Sequence, residues 1–375
     1  MTPRERFEAA IAGQVVDRIP AVCRLDKWYH ACEQAGQLPD ELRHLSLDEV
    51  EGRMGFGRSA RTARVFKTVL TTPISRRESR QGNDIITEWE MPAGSLRLVR
   101  RFGPGDEAAG LTPTIVEYPI KNLGDYTVYE EIIEHTKFIP DYDAYMQFDR
   151  TVGQAGLPMV ILGAIPFHEL LLRWTGYERG YMHLADRPDV VLQTVETANR
   201  TYRKMWQIVA DSPARFVMHG VNFDTQMTSP PIFREHFLPY LREFNQLMHA
   251  AGKKTAFHAD GDMSGLLDLA VEAGFDVADC FACNPLVPCT FAAARQVWRD
   301  RITIWGGLPS TLLEPTIPLE RLERHLDDIY ANIGNGRRFI LGISDQAMPT
   351  SSWAHLAKTA QYAAEHAVPS HDPIG

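Results

Sequence analysis

The segment that most constrains the fold covers residues 254–285. It opens with a short apolar pattern that predicts a strand, and polar residues follow at once at 258–262. An apolar helical face comes next, Gly274 ends that helix, and residues 276–281 predict a second strand. This order indicates a βαβ unit with parallel strands. Sites in parallel α/β folds lie at the C-terminal ends of strands, so we expect the chemistry of this chain near His258.

The same alternation of strands and helices extends over the C-terminal part of the chain. Further strands are predicted at 159–162, 215–221, 302–305 and 339–342, and helices at 188–210, 231–250, 319–333 and 352–366. Residues 55–57 (GFG) lack the third glycine and the preceding strand of a dinucleotide-binding fingerprint. Repeated βα units without that fingerprint favour a TIM (β/α)8 barrel over an open sheet.

Residues 62–103 have a different pattern, in which apolar and polar side chains alternate. This pattern predicts antiparallel strands at 65–70, 85–90 and 96–101, with a hairpin turn at 92–95. We interpret the segment as an insertion at an edge or mouth of the barrel. Together with a helix at 3–12, it predicts one domain over 1–375 with an N-terminal helical and antiparallel β-hairpin elaboration.

Composition restricts the function classes. The 375 residues are 44% hydrophobic and 23% charged, which is typical of a soluble globular protein. No run of about 18 apolar residues predicts a membrane span, and the N-terminus lacks the apolar core of a secretory peptide. The net charge of −9 argues against a nucleic-acid partner. The five cysteines, an odd number, indicate reduced thiols in a cytoplasmic protein.

His258 and Asp260 are the strongest candidate metal ligands. They share one face of a strand, and imidazole and carboxylate groups both bind zinc. A catalytic zinc needs about three protein ligands, and His219, Cys283 and Asp345 at other strand ends are candidates for the third. Of the two cysteines at 280–283, the first is expected to pack in the core. The alternative is a buried histidine held by a carboxylate without metal.

Other strand ends supply candidates for substrate binding and catalysis. His219, Asn222 and Asp224 follow one predicted strand, and Asp26 lies at the polar end of the first predicted strand, residues 17–26. The alternative for Asn222 and Asp224 is a role in capping and turns. Five aromatic residues lie near predicted strand ends or loops and suit an aryl or quaternary-ammonium substrate, although each alone is more typical of a core: Trp28, Tyr29, Phe167, Trp174 and Trp305.

Several short motifs, spread over nearly the whole chain, resemble the uroporphyrinogen decarboxylase-like superfamily. They are Arg4-Glu5-Arg6-Phe7, Asp17-Arg18-Ile19-Pro20, Asp224 with Ser229-Pro230, Phe233, Phe237 and Pro239-Tyr240, Gly252-Lys253, Gly274-Phe275-Asp276, and Trp305-Gly306-Gly307-Leu308. The resemblance implies a TIM barrel with its site at the C-terminal strand ends. It also implies either the decarboxylase of the heme pathway or corrinoid-linked methyltransferases that use zinc.

The sequence departs from both types. Residues 21–29 lack the arginine-rich motif with which the decarboxylase holds substrate carboxylates. The thiol-directed methyltransferases carry His-x-Cys and a distant cysteine near the last strand. Here the first motif reads His258-Ala259-Asp260, and residues 342–345 contain no cysteine. These departures argue against a porphyrinogen substrate and against a thiol acceptor activated by two cysteines.

The resemblance therefore favours a metal-assisted methyltransferase, or demethylase, closer to the corrinoid-linked branch. It would move a methyl group from a small O- or N-methyl donor to a corrinoid on a partner protein, with zinc polarising the donor and Asp224 or His219 orienting it. The alternative is a metal-free decarboxylase or lyase of a smaller substrate, in which His258 is a general acid and Asp224 stabilises a cationic intermediate. A barrel that only binds a ligand is a third alternative. Barrels with apolar outer helices often pair, which favours a homodimer.

Overall fold

The computed structural model describes residues 1–71, 74–108 and 110–366. These residues form two compact units. The first unit contains residues 1–63, 144–163 and 214 onward, and the second contains 64–143 and 164–213. Within the described ranges, no helix combines the length and the apolar character needed to span a membrane.

The strands and helices follow in chain order. The strands are β1 (Phe66–Leu70), β2 (Ser75–Gln81), β3 (Asp84–Met91), β4 (Gly94–Arg101), β5 (Thr114–Glu117), β6 (Thr136–Pro140), β7 (Met159–Ile161), β8 (Phe216–Met218), β9 (Lys254–His258), β10 (Val277–Phe281), β11 (Thr303–Pro309) and β12 (Phe339–Ser344). The helices are α1 (Pro3–Ile11), α2 (Asp26–Gln34), α3 (Leu47–Arg53), α4 (Asp125–Glu134), α5 (Tyr142–Val152), α6 (Pro166–Glu169), α7 (Tyr177–Asp186), α8 (Pro188–Asp211), α9 (Pro230–Ile232), α10 (Leu238–Ala250), α11 (Leu267–Ala273), α12 (Phe291–Trp298), α13 (Leu319–Asn332) and α14 (Trp353–Glu365).

The first unit is a TIM barrel. Six parallel strands form a sheet in the order β12-β11-β10-β9-β8-β7. Two short extended segments continue it, because Ala21 bridges Leu341 of β12 and Ala63 bridges Val160 of β7, both in parallel. Gly57, which precedes Ala63 in the chain, donates its amide hydrogen to the Ala21 carbonyl oxygen at 2.8 Å. Six strands and two segments therefore make eight barrel positions, as the sequence predicted.

The barrel strands form because their side chains are apolar on both faces, which is the pattern of a sheet covered by helices. All residues of β10, β11 and β12 are buried. Helix α1 begins with a capping box between Thr2 and Glu5. Its Phe7 packs edge-on against Trp305, with ring centroids 4.9 Å apart. The N-terminal helix thus contributes to the barrel core.

The second unit contains the predicted antiparallel structure. Strands β2, β3, β4 and β5 form one sheet, and the tight turn between Met91 and Gly94 confirms the hairpin predicted from 92–95. The strand predicted at 65–70 is present as β1, but it pairs with β6 instead of with the hairpin. The division into these units does not test whether the chain folds as one domain, so the single domain with an insertion at 62–103 stays a prediction.

Two local predictions differ from the structure. The first predicted strand is reduced to the bridge at Ala21, and Asp26 already begins α2. The helix predicted at 231–250 is interrupted by a π-helical turn, Phe233–Phe237, before α10. A π turn inserts one extra residue into the helical register, which periodicity alone does not reveal.

Candidate active site

A bulge in β10 shapes the candidate site. The register between β10 and β11 shifts between Asp279 and Phe281, and the intervening Cys280 has a left-handed φ of 53°. Opposite the bulge, a Cβ on Gly306 would lie 2.4 Å from the backbone nitrogen of Phe281. A bulge breaks the alternation of side chains between the two faces of a strand. As a result, the consecutive residues Asp279 and Cys280 both interact with His258.

Three side chains at the C-terminal strand ends form a group that could hold a metal ion. His258 ends β9, Cys280 lies in the bulge of β10, and Asp345 follows β12. One potential ligand atom from each lies within 4.8 Å of the others. The Nε2 atom of His258 is 3.6 Å from the Asp345 carboxylate. Histidine, thiolate and carboxylate are the ligand types that zinc accepts.

Asp260 adds a fourth candidate ligand. One of its oxygens, Oδ2, lies 3.4 Å from Nε2 of His258 and accepts a hydrogen bond from the Asn222 side chain at 3.3 Å. The other, Oδ1, is inaccessible to solvent and has no hydrogen-bond partner among the described residues. A buried carboxylate oxygen without a partner is costly, and a cation beside it would remove that cost.

Behind His258 lies a buried ion pair between Arg61 and Asp279. The Asp279 carboxylate is fully buried and accepts two hydrogen bonds from the Arg61 guanidinium, one of them at 2.7 Å. It also accepts a hydrogen bond from Nδ1 of His258 at 2.9 Å. Burial opposes the negative charge, but Arg61 and His258 hold the pKa of Asp279 well below its usual range. Arg61 in turn lies over the Trp305 ring at 4.5 Å.

The titratable groups of the site are shifted by this environment. Burial opposes charging the His258 ring, but interactions with Cys280, Asp260 and Asp279 raise its pKa well above the usual value. Burial raises the pKa of the Cys280 thiol. Burial would also raise the pKa of Asp345, but the charges of Arg24 and His258 lower it. The site therefore combines a readily protonated ring with a carboxylate that stays ionised.

A cavity of 240 Å³ is lined in part by two arginines that contact members of this site, Arg24 and Arg61. Its wall includes Arg24, whose guanidinium donates a hydrogen bond to Asp345, and Arg61. Asp26, Glu51 and several further residues complete it: Leu47, Asp48, Arg58, Ser59, Ala60, Thr62 and Phe148. Burial raises the pKa of Glu51 to about 8, so this carboxyl group is mostly neutral at pH 7. The volume lies below the roughly 300–1,000 Å³ of typical ligand pockets, so the cavity has room only for a small molecule.

The structure corrects the choice of cysteine among the predicted metal ligands. Cys283 is buried away from the group, and its thiol donates to the carbonyl oxygen of Gly307 at 3.2 Å. Burial raises the pKa of that thiol to about 12. Cys280, which the sequence analysis assigned to the core, is buried and also lies beside His258 and Asp345.

His219 and Asp224 are both held by hydrogen bonds within the fold. His219 is fully buried, with Nδ1 at 3.0 Å from the Gly163 carbonyl oxygen and Nε2 at 3.1 Å from the Tyr240 hydroxyl. Burial lowers the pKa of His219 to about 4. The Asp224 carboxylate accepts hydrogen bonds from the backbone of Gln226, Met227 and Asp262. It therefore organises two loops, which is the turn role left open above.

The predicted substrate-binding residues have mixed placements. Asp26 lines the cavity, and Asn222 is exposed with a left-handed φ of 54°. Most of the aromatic residues are fixed in the core: Trp28 stacks on Trp353, the Tyr29 hydroxyl donates to the Leu45 carbonyl oxygen, and the Trp305 indole donates to the Val22 carbonyl oxygen. Phe167 is buried on α6 in the second unit. The aromatic wall expected from Trp28, Tyr29 and Trp305 is therefore absent at these described residues.

Five residues of the site were missed from the sequence: Arg24, Glu51, Arg61, Asp279 and Cys280. Asp279 left a usable signal, because a charged residue inside an otherwise apolar strand needs a buried partner. Arg61 left none, because the segment around it lacks a strand pattern.

Comparisons with known proteins agree with this architecture. A family model described as uroporphyrinogen decarboxylase (URO-D) matches residues 170–366, more than half of the chain. A solved methyltransferase from Methanosarcina mazei is similar with a TM-score of 0.60 at 13% identity, covering 97% of this chain and 99% of that one. At this identity the likeness shows the fold.

Two further comparisons carry no argument about function. An octameric ribulose-1,5-bisphosphate carboxylase/oxygenase from Pyrococcus horikoshii OT3 has a TM-score of 0.25 at 10% identity, covering 62% of this chain and 51% of that one. That score is too low to support a shared fold. The comparison with curated proteins gave no match.

Proposed function

The chain belongs to the uroporphyrinogen decarboxylase family, and from that premise we propose that it is a metal-assisted methyltransferase. In this proposal it moves a methyl group from a small O- or N-methyl donor to a corrinoid on a partner protein. The observation that carries the proposal is the convergence of His258, Cys280 and Asp345 within 4.8 Å. The similarity to the solved methyltransferase supports a barrel of suitable form.

The residues present fit a zinc ion. Nε2 of His258, the Cys280 thiolate and an Asp345 oxygen would be ligands. The Asp260 carboxylate, whose Oδ2 lies 3.4 Å from Nε2 of His258, has a buried Oδ1 without a hydrogen-bond partner among the described residues. Zinc would supply Lewis-acid polarisation of the heteroatom that loses the methyl group. The raised pKa values of His258 and Cys280 mean that both groups must give up a proton to become ligands.

The cavity beside the group is the proposed position of the methyl donor. Arg24 contacts both the cavity and Asp345, and Arg61 contacts both the cavity and Asp279. A donor in the cavity would therefore lie against the side chains that hold the candidate ligands. Asp26 lines the same wall, which supports the proposal that it binds the donor. The corrinoid protein as partner, the homodimer and the cytoplasmic location stay predictions.

A metal-free decarboxylase or lyase is the second candidate, and one observation favours it. The raised pKa of His258 keeps the ring protonated near neutral pH, as a general acid requires. The cation-stabilising role assigned to Asp224 has no support, because both of its oxygens accept backbone hydrogen bonds. Metal content separates the two candidates.

The test compares zinc content and methyl transfer in the parent protein and in His258→Ala. We expect zinc in the parent, and loss of both zinc and methyl transfer to a free corrinoid in the variant, because losing one ligand in three leaves a weak site. His249→Ala is a matched control, since His249 pairs with Asp276 at 2.8 Å outside the group. Elemental analysis gives the result. Full zinc occupancy in His258→Ala would remove His258 from the site, and a parent without zinc would favour the metal-free lyase.

A further inference from the structure

We propose that Asp279, clamped by Arg61, is a positioning residue that turns the His258 ring so that Nε2 points to the metal. This inference rests on the metal site of the proposed function. It assigns a role to two residues that are not themselves ligands. Carboxylate partners of metal-binding histidines act in this way by fixing the tautomer and the orientation of the ring.

The geometry at Asp279 fixes the His258 ring. A carboxylate only accepts hydrogen bonds, so the 2.9 Å contact requires a proton on Nδ1 of His258. In the neutral ring that a metal binds, Nε2 is then the free nitrogen. It lies 3.4 Å from Asp260 and 3.6 Å from Asp345, which are both candidate ligands. The nitrogen that faces the group is therefore the one that Asp279 leaves free.

Asp279 can hold this position because it cannot turn. Its carboxylate is fully buried, and the Arg61 fork donates to both of its oxygens. Such a bidentate pair fixes the plane of the carboxylate. The Oδ2 atom of Asp279 accepts hydrogen bonds from both Arg61 and His258, so both side chains are held by the same oxygen atom.

The Arg61 side chain is itself held in place by several contacts. Its Nε donates to the Ser59 hydroxyl at 3.0 Å, and its guanidinium lies 4.5 Å from the centroid of the Trp305 ring. The Trp305 indole donates to the Val22 carbonyl oxygen at 2.9 Å. Arg61 also donates to the Cys280 sulfur at 3.3 Å. One arginine thus supports two members of the ligand group, His258 through Asp279 and Cys280 directly.

The chain contains a matched pair for comparison. Asp276, the residue directly before β10, is buried and lies 2.8 Å from Nε2 of His249. It accepts further hydrogen bonds from Lys254 and the Thr255 amide. His249 is outside the metal-capable group, so Asp276 supports structure alone. Asp279→Asn and Asp276→Asn therefore remove the same charge from similar surroundings, and only the first acts on a proposed ligand.

The experiment measures zinc affinity by competition with a chromophoric chelator in the parent, Asp279→Asn and Asp276→Asn. We expect roughly 10- to 100-fold weaker binding for Asp279→Asn, the usual effect of losing such a partner, and parent affinity for Asp276→Asn. The visible spectrum of bound Co²⁺ should change only in Asp279→Asn, because only its ligand geometry changes. Arg61→Lys keeps the positive charge but loses the bidentate hydrogen bonding to Asp279. If Asp279→Asn does not fold, Arg61→Lys becomes the test, and we expect it to bind zinc more weakly than the parent.

Parent affinity and an unchanged Co²⁺ spectrum in Asp279→Asn would overturn the inference, as would equal weakening in both aspartate variants. If Asp279→Asn does not fold, parent affinity in Arg61→Lys would overturn it. A parent that binds neither metal would overturn it together with the metal site. A parent that binds zinc but transfers no methyl group would overturn the proposed reaction alone, because the affinity measurement does not depend on turnover.

Discussion

Glu51 shows at the scale of one residue how burial changes chemistry. Its side chain is 4% exposed in the cavity wall, and burial raises its pKa to about 8 with a contribution from Asp48. In the unfolded chain this group ionises near pH 4.5. Between pH 4.5 and 8 the folded state therefore binds the proton more strongly than the unfolded state, and the free energy of unfolding falls as pH rises.

We predict that Glu51→Gln removes this pH dependence. In the parent, Glu51 should lower the free energy of unfolding by about 1.4 kcal/mol for each pH unit between its two pKa values. Above pH 8 the total decrease in the free energy of unfolding should reach up to about 5 kcal/mol. The variant should match the parent near pH 4 and exceed it in stability at pH 8. Urea denaturation at both pH values measures this, with the exposed Glu41→Gln as control. A variant less stable than the parent at pH 8 would mean that Glu51 is ionised in the fold.

The sequence was sufficient to predict the residues of the site only where they lie at the ends of regular strands. His258, Asp260 and Asp345 were predicted as ligands because strand ends converge at a barrel mouth, and the structure places Asp260 and Asp345 3.4 and 3.6 Å from Nε2 of His258. Cys280 and Cys283 were exchanged, because the assignment assumed a regular end to β10. The bulge in β10 makes that assumption wrong. It depends on a close approach between two backbones, which the pattern of residues does not predict.

At the scale of the element, the β10 bulge depends on Gly306. Its φ is 147°, and a Cβ added there would lie only 2.4 Å from the Phe281 nitrogen, so the position excludes a side chain. We predict that Gly306→Ala lowers the free energy of unfolding by at least about 2 kcal/mol and weakens zinc binding, since the bulge that carries Cys280 must shift.

Gly252→Ala is the control for this substitution, because Gly252 also has a positive φ, 72°, but a Cβ there would meet no atom within 4 Å. It should lower stability through backbone strain and leave zinc affinity unchanged. Denaturant titration and chelator competition measure the two effects separately. Unchanged zinc affinity in Gly306→Ala would show that the bulge does not control the position of Cys280.

At the scale of the molecule, the repeated βα pattern was sufficient to predict the barrel. Each strand from β7 to β12 is apolar enough to be recognised alone. The first two barrel positions were harder, because Ala21 and Ala63 contribute single bridges instead of strands. They are held by backbone hydrogen bonds to neighbours distant in sequence, such as Val22 to Leu341 at 2.9 Å. Local patterns do not report such bonds.

The barrel brings candidate ligands from three separate strands to one point, so a metal should bind the folded chain far better than the unfolded chain. We predict that zinc raises the free energy of unfolding by about 2.7 kcal/mol when free zinc is about 100 times its Kd. Thermal unfolding with zinc and with a chelator measures the increment. His258→Ala should lose the increment, whereas His249→Ala should keep it even if its midpoint is lower, because His249 pairs with Asp276 outside the group. An equal increment in His258→Ala would place the zinc at another site.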